Sequence, residues 1–168
     1  MEWSLGNMHD MKCVSLIVLA FVSIVALCST GICNIVINEV ELSPSDNASK
    51  WVEIFNTGDE PVDVSGWMVK IVDGPWTGPI ALSSAIEPRG FFVAEGDSRW
   101  SAILNGTVFL YDAAGTIVDQ THGLSDSEEN DFTWVRMPDG KDTDNKGDFA
   151  YFMGSKGRSN GGAVLGRG

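Results

Sequence analysis

Cysteine is missing from residue 34 onward; Cys13, Cys28 and Cys33 all lie near the amino terminus. A domain built from the remainder has no internal disulfide and no thiolate metal site, so packing alone must hold it together. Histidine is almost absent as well, with only His9 and His122 in the chain. None of the patterns G-x-S-x-G, H-E-x-x-H, G-x-x-x-x-G-K-[ST] or C-x-x-C occurs, which removes the common sequence signatures of hydrolase, zinc-protease, phosphate-loop and dithiol chemistry. Basic clusters are lacking too. Eleven Lys and Arg are scattered singly among 23 Asp and Glu, for a formal net charge of -12. With a pI near 4.3, the chain is not drawn to phosphate backbones, and no nucleic-acid partner is expected. No stretch past residue 34 carries an apolar helical repeat over three turns, and no heptads are present, so neither a helical bundle nor a coiled coil is expected.

What is present begins with an apolar run, CVSLIVLAFVSIVAL over 13–27, preceded by Lys12 and followed by the small and polar residues of CSTGICN. A positive flank, a short apolar core and then small residues is the order of a secretory signal. Cleavage is expected after Cys28, with Ala26 three places before the cut, or after Gly31, with Ser29 in that place. Glu2 and Asp10 put acid where a signal wants base, which makes Met11 an alternative start to Met1. Residues 13–33 also reach the length of an uncleaved membrane anchor if Ser29, Thr30 and Gly31 are counted. Either way residues 1–33 are read as a signal peptide or N-terminal membrane anchor, and the remainder as extracellular or at the cell surface.

With 43% hydrophobic residues and six Trp, the chain can build a core rather than remain disordered. Seven runs rich in β-branched and aromatic residues read as strands: 34–42, 51–56, 67–72, 90–96, 107–112, 116–121 and 132–137. Several alternate as half-buried strands do, with Val52 and Ile54 against Glu53 and Val69 and Ile71 against Lys70. Turn residues separate them, among them Asn56-Thr57-Gly58-Asp59, Asp73-Gly74-Pro75 and Pro138-Asp139-Gly140. Short strands punctuated this often argue for an all-β, antiparallel β-sandwich over 34–161, with 162–168 as a flexible tail. Within SKWVEIFNTGDEPVDVSGW (49–67), Trp51 and Trp67 are expected to be buried on facing sheets, and Asp63 to bond backbone N–H groups at the corner.

The blocks INEVELS, KWVEIFNTGDEPVDVSGWMVKI, IEPRGFFVAEG, VFLYDAAGTIVDQ, WVRMPDGKDTDNKGDF and SKGRSN together resemble the lamin tail domain family across residues 35–160. The most specific is the middle block, an acidic Trp-x-Glu strand, an Asn-Thr-Gly turn and then Val-Asp-Val-Ser-Gly-Trp. The resemblance implies an immunoglobulin-like sandwich. The chain departs from the pattern where Lys156-Gly157 replaces a usual Pro-Gly, and it has no rod of heptads. A copy led by an export signal resembles the exported prokaryotic branch rather than a nuclear filament protein.

Several residues invite chemistry. His122 has Asp119 and Ser125 near it in sequence, a possible hydrolase set, although a lone histidine after a strand is more often a turn residue. In DGKDTDNKGD (139–148), Asp142, Asp144 and Asp148 echo a calcium loop. Lys146 takes the place of an oxygen ligand there, Met153 stands where a closing Glu belongs, and a turn accounts for the same residues. SDSEEND (125–131) reads as a solvated acidic loop, or one that meets a basic partner. Trp76 and Trp100 sit in loop-like contexts, either exposed to stack on sugars or proteins or tucked over a sandwich end. Asn47 and Asn105 head N-x-[ST] triplets. No catalytic, cofactor-binding or metal residue is assigned. The reading is an exported, non-catalytic interaction module contacting a protein or envelope component. The alternatives are a secreted carbohydrate- or calcium-binding module and, third, a hydrolase using His122.

Overall fold

The computed structural model describes residues 34–161; the expectations for residues 1–33 and 162–168 lie outside them. Twelve strands and two 3₁₀ turns make up the described residues, with no α-helix. They are β1 (Ile35–Glu41), β2 (Trp51–Asn56), β3 (Val62–Asp63), β4 (Met68–Asp73), β5 (Trp76–Ala81), β6 (Ala85–Ile86), β7 (Phe91–Glu95), β8 (Asn105–Tyr111), β9 (Ile117–Gln120), β10 (Leu124–Ser125), β11 (Phe132–Arg136) and β12 (Phe149–Met153). Every expected strand is found, within a few residues of its expected ends. The sequence reading missed β5 and β12 and the two-residue strands β3, β6 and β10. Gly78 and Pro79 disguise β5, because both residues are rare inside strands. FAYFM in β12 is continuously apolar and lacks the alternation that marks a half-buried strand.

The strands form an immunoglobulin-like antiparallel sandwich. One sheet runs β12-β11-β1-β2-β7; the facing sheet runs β10-β8-β4-β5, with β9 also on β8, and β3 and β6 pair separately. The first sheet contributes Ile35, Ile37, Val40, Leu42, Val52 and Ile54 to the core, and the second contributes Val69, Ile71, Val108 and Leu110. Strict alternation cannot put Ile37 and Val40 on one face. A bulge resolves this: the register to β2 shifts between Ile37, opposite Ile54, and Glu39, opposite Glu53. One extra residue at Asn38 turns both halves of β1 inward.

The 49–67 corner meets the expectation in part. Trp51 is buried, but on the outer face of β2, where Lys156 covers its ring, and Trp67 packs only partly buried against the core just before β4. Asp63 accepts from the Ser65 N–H at 2.9 Å, and Gly66 takes φ 79°, a conformation that favours glycine.

Candidate functional site

The β11–β12 hairpin carries the most unusual surface of the fold. Its register pairs Phe132 with Met153, Trp134 with Tyr151 and Arg136 with Phe149, so these six side chains share one face. Their rings form a continuous ladder. Phe132 and Tyr151 lie 5.7 Å apart between centroids and Tyr151 and Trp134 5.4 Å; His122 then meets Trp134 at 5.8 Å and Phe149 at 5.9 Å, edge-on to both. The Arg136 guanidinium closes the ladder 4.6 Å from the Phe149 centroid. At the other end the ladder comes to the surface, where Phe132 is 37% and Met153 52% exposed, with Phe152 on the opposite face at 38%.

β12 is also an edge strand. The Gly154 N–H donates to Asp131 O at 2.8 Å, which fixes which β12 residues turn their backbone toward β11. Ala150 and Phe152 do so, whereas Tyr151 and Met153 direct N–H and C=O to the open side. Among the described residues no strand pairs there. The β5 edge is different. Pro79 has no N–H to offer, and Arg99 donates to Pro79 O at 2.5 Å. One edge is blunted by these two devices, and the other is left bare and apolar among the described residues.

The two tryptophans divide between the two expected placements. Trp100 is fully buried, and Trp76, 59% exposed on β5, is the one left as a surface platform. Trp100 ends a turn, with its N–H on Asp97 O, yet the ring folds inward over Gly78 and Gly96. A Cβ at Gly96 would stand 2.5 Å from that ring. The two glycines were the available signal, since a glycine in a strand often marks close approach of another group.

The structure does not join His122, Asp119 and Ser125 as a catalytic set. Asp119 accepts from Arg136, Ile37 N and Gln120 N, and Ser125 donates to Asn105 at 2.6 Å. His122 Nδ1 is buried with no hydrogen-bond partner, and burial, with Lys146 nearby, lowers its pKa. Its imidazole serves as a rung of the ladder. Beside it lies a small cavity of about 210 Å³ lined by Arg136, Asp142, Asp148 and Phe149 among others.

The Asp-rich loop is tied down by the protein itself. Asp148 accepts from Thr143 N at 2.7 Å, Thr143 Oγ1 at 2.8 Å and Asn145 N at 3.3 Å, and Arg136 and Lys141 stand within 3.7 Å. Burial raises its pKa, but these donors outweigh burial and hold it at about 2. Asp142 accepts from Arg136 at 3.1 Å and from Asp144 N. No cluster of three or more His, Cys, Asp or Glu among the described residues is arranged to hold a metal.

In the acidic loop, Asp126 departs from the expected solvation. It is buried and accepts from Tyr151 Oη at 2.9 Å, while Oδ2 has no partner. Burial, reinforced by the Asp126 carboxylate, pushes the Tyr151 phenol up to about 12. Asn47 is exposed at the end of a 3₁₀ turn, and Asn105 opens β8.

The sequence also gave no sign of a carboxylate pair beneath the chain's end. Glu39 and Glu53 lie opposite one another on β1 and β2, on the outer face, and both are fully buried. Residues 154–161 strap over them. Ser155 N and Oγ donate to Glu39, each at 2.8 Å, and Gly157 N donates to Glu53 at 2.6 Å. Asn38 also donates to Glu53, at 3.0 Å. Burial pushes Glu53 up to about 7, and Glu41, buried farther along β1, likewise reaches about 7. Lys156 holds the strap from outside, 2.6 Å from Glu95 and 5.4 Å above the Trp51 ring.

Compared with known families, residues 29–125, more than half of the chain, match the family model described as Lamin Tail Domain. No curated protein matches.

Proposed function

The chain belongs to the lamin tail domain family, and from that premise we propose that it is an exported, non-catalytic interaction module at the cell surface. It makes contacts with a protein or envelope component. The observation that carries the reading is the bare β12 edge beside Phe132, Phe152 and Met153. Exposed apolar side chains next to unpaired strand backbone make a ready protein-binding surface. Residues 1–33 act as the export signal or as the anchor, with translation starting at Met1 or Met11. The fold's family argues for binding rather than turnover, and no residue is assigned a catalytic role.

The test is cross-linking in the protein's own envelope, comparing the wild type with Phe152→Lys. The wild type is expected to co-fractionate with the envelope and form a discrete adduct that the variant loses. Protein found free in the medium, with no adduct, would overturn the reading. A glycan-binding alternative rests on Trp76 alone. It predicts that Trp76→Ala abolishes retention on the organism's own surface polysaccharide while the fold survives.

A further inference from the structure

The β12 edge offers outward backbone groups on both sides of its middle residue, Tyr151. Tyr151 and Met153 point backbone N–H and C=O outward, whereas the Phe149 N–H is already bonded to Lys146 O and leaves only its carbonyl. If two β12 strands meet antiparallel with Tyr151 opposite Tyr151, the two Tyr151 residues exchange hydrogen bonds. Each Met153 N–H then reaches the Phe149 carbonyl of the other copy. The Phe149 N–H would face the Met153 carbonyl of the other copy, but it is already bonded to Lys146 O, so that carbonyl is left to water.

Side chains agree with the same register. On the outer face, Phe152 falls opposite Ala150 of the second copy, in the closely spaced type of antiparallel pair. The largest exposed side chain on that face therefore meets the smallest, twice, by symmetry. β12 carries no charged residue, no proline and no register shift against β11. Those are the devices that ordinarily keep a strand edge from pairing with another chain, and β5 shows that this fold uses such devices elsewhere. A uniformly apolar strand offers a charged partner nothing to read, although the chain as a whole carries a charge of -12. It offers a copy of itself a fitted surface.

We propose that the occupant of the β12 edge is a second copy of this chain, joined in a two-fold dimer centred on Tyr151 that makes one continuous sheet of the two β12-bearing sheets. The proposal rests on the reading of β12 as the binding surface and names what fills it. Such a contact is isologous and closed, so it yields dimers rather than fibres.

The experiment is sedimentation of the full chain over a dilution series, with Phe152→Ala, Ala150→Phe and the double variant that exchanges the two residues. The wild type is expected to dimerise. Each single variant weakens association about tenfold or more, and the double variant recovers much of the loss because it restores one Phe and one Ala to each pair. As a second readout, Tyr151→Cys with Cys13, Cys28 and Cys33 replaced by Ser is expected to form a disulfide-linked dimer on oxidation. Strand residues paired at the two-fold axis lie about 5.5 Å apart, within disulfide reach. Association that survives all three edge variants, as through residues 1–33, would overturn the dimer. So would a monomer that still forms an envelope adduct lost in Phe152→Lys; in that case the interaction-module reading stands and a different protein holds the edge. Loss of every envelope adduct alongside an intact Tyr151-centred dimer would instead leave the dimer and remove the envelope partner.

Discussion

Asp119 Oδ2 and Arg136 Nη2 meet at 2.9 Å, with only 3% and 2% of their side chains exposed. The pair joins β9 of one sheet to β11 of the other, and both partners also bond the backbone of one residue, Ile37. Ile37 N donates to Asp119 at 2.7 Å, and Arg136 Nε donates to Ile37 O at 2.6 Å. Ile37 sits at the β1 bulge, where ladder partners are lost. The ion pair replaces both. Burial pushes the Asp119 carboxyl upward, while the guanidinium and two backbone N–H groups pull it back toward ionisation.

Arg136→Ala is therefore expected to leave the buried Asp119 without its counter-charge, at a cost of about 3–5 kcal/mol in urea unfolding. An isolated buried pair can often be exchanged for apolar residues at little cost. Here Arg136→Met combined with Asp119→Leu should still lose about 2 kcal/mol or more, because the Ile37 N–H and C=O are left unbonded. A neutral double variant would mean that water or the backbone itself satisfies the bulge.

The raised Glu53 carboxyl gives stability an unusual pH dependence. Its folded value of about 7 lies above the ordinary 4.5, so the folded state holds a proton that the unfolded chain releases. That contribution is complete below pH 4.5 and is lost as pH rises through about 7. Glu41 acts in the same direction. Asp148, lowered from 3.8 to about 2, contributes above pH 3.8 and loses its share only as pH falls through about 2. Stability should thus fall between pH 5 and pH 8, by on the order of 1–3 kcal/mol for each glutamate. Denaturant titrations at the two pH values should show a smaller drop in Glu53→Gln than in the wild type.

The two loop tryptophans should separate cleanly. Trp100→Ala empties a buried site and is expected to cost about 3–5 kcal/mol. Trp76→Ala should stay within about 0.5 kcal/mol, as surface changes usually do. Gly96→Ala should behave like a milder Trp100 variant, losing roughly 1–3 kcal/mol by overpacking against the ring. Thermal unfolding of the three variants is enough to check the order.

Lys156→Ala is expected to be nearly silent. Its partner Glu95 and its own head group are both about half exposed, and exposed pairs contribute up to about 1 kcal/mol. A large loss on unfolding would mean that the cation over Trp51, rather than the Ser155 and Gly157 bonds, holds the strap.

The alternation of Val52, Glu53 and Ile54 was enough to find β2 and its inward face. What it could not reveal is that Glu53 is dry, because the cover comes from Gly157, 104 residues away. The placement of Trp100 stayed open between exposed and tucked for a related reason. A turn predicts where the backbone goes, whereas the ring's direction depends on space left at Gly78 and Gly96 by other strands. The edge at β12 was invisible because a short continuous apolar run has no period to detect. Local pattern reads the strands well. The open β12 edge, the buried acids and the bulge pair are products of long-range contact.

The strap has a bearing on the order in which the molecule can be completed. Ser155 closes on Glu39 across 116 residues, and central β1 waits for β11 across almost as many. Contacts this distant in sequence form late and slowly. A growing chain that has produced β1 and β2 holds two carboxylates and an unfilled bulge with no donors to satisfy them. It cannot settle into a stable partial sandwich. Only arrival of residues 154–161 removes the penalty, so a copy cut short before Gly154 should be left open to proteolysis.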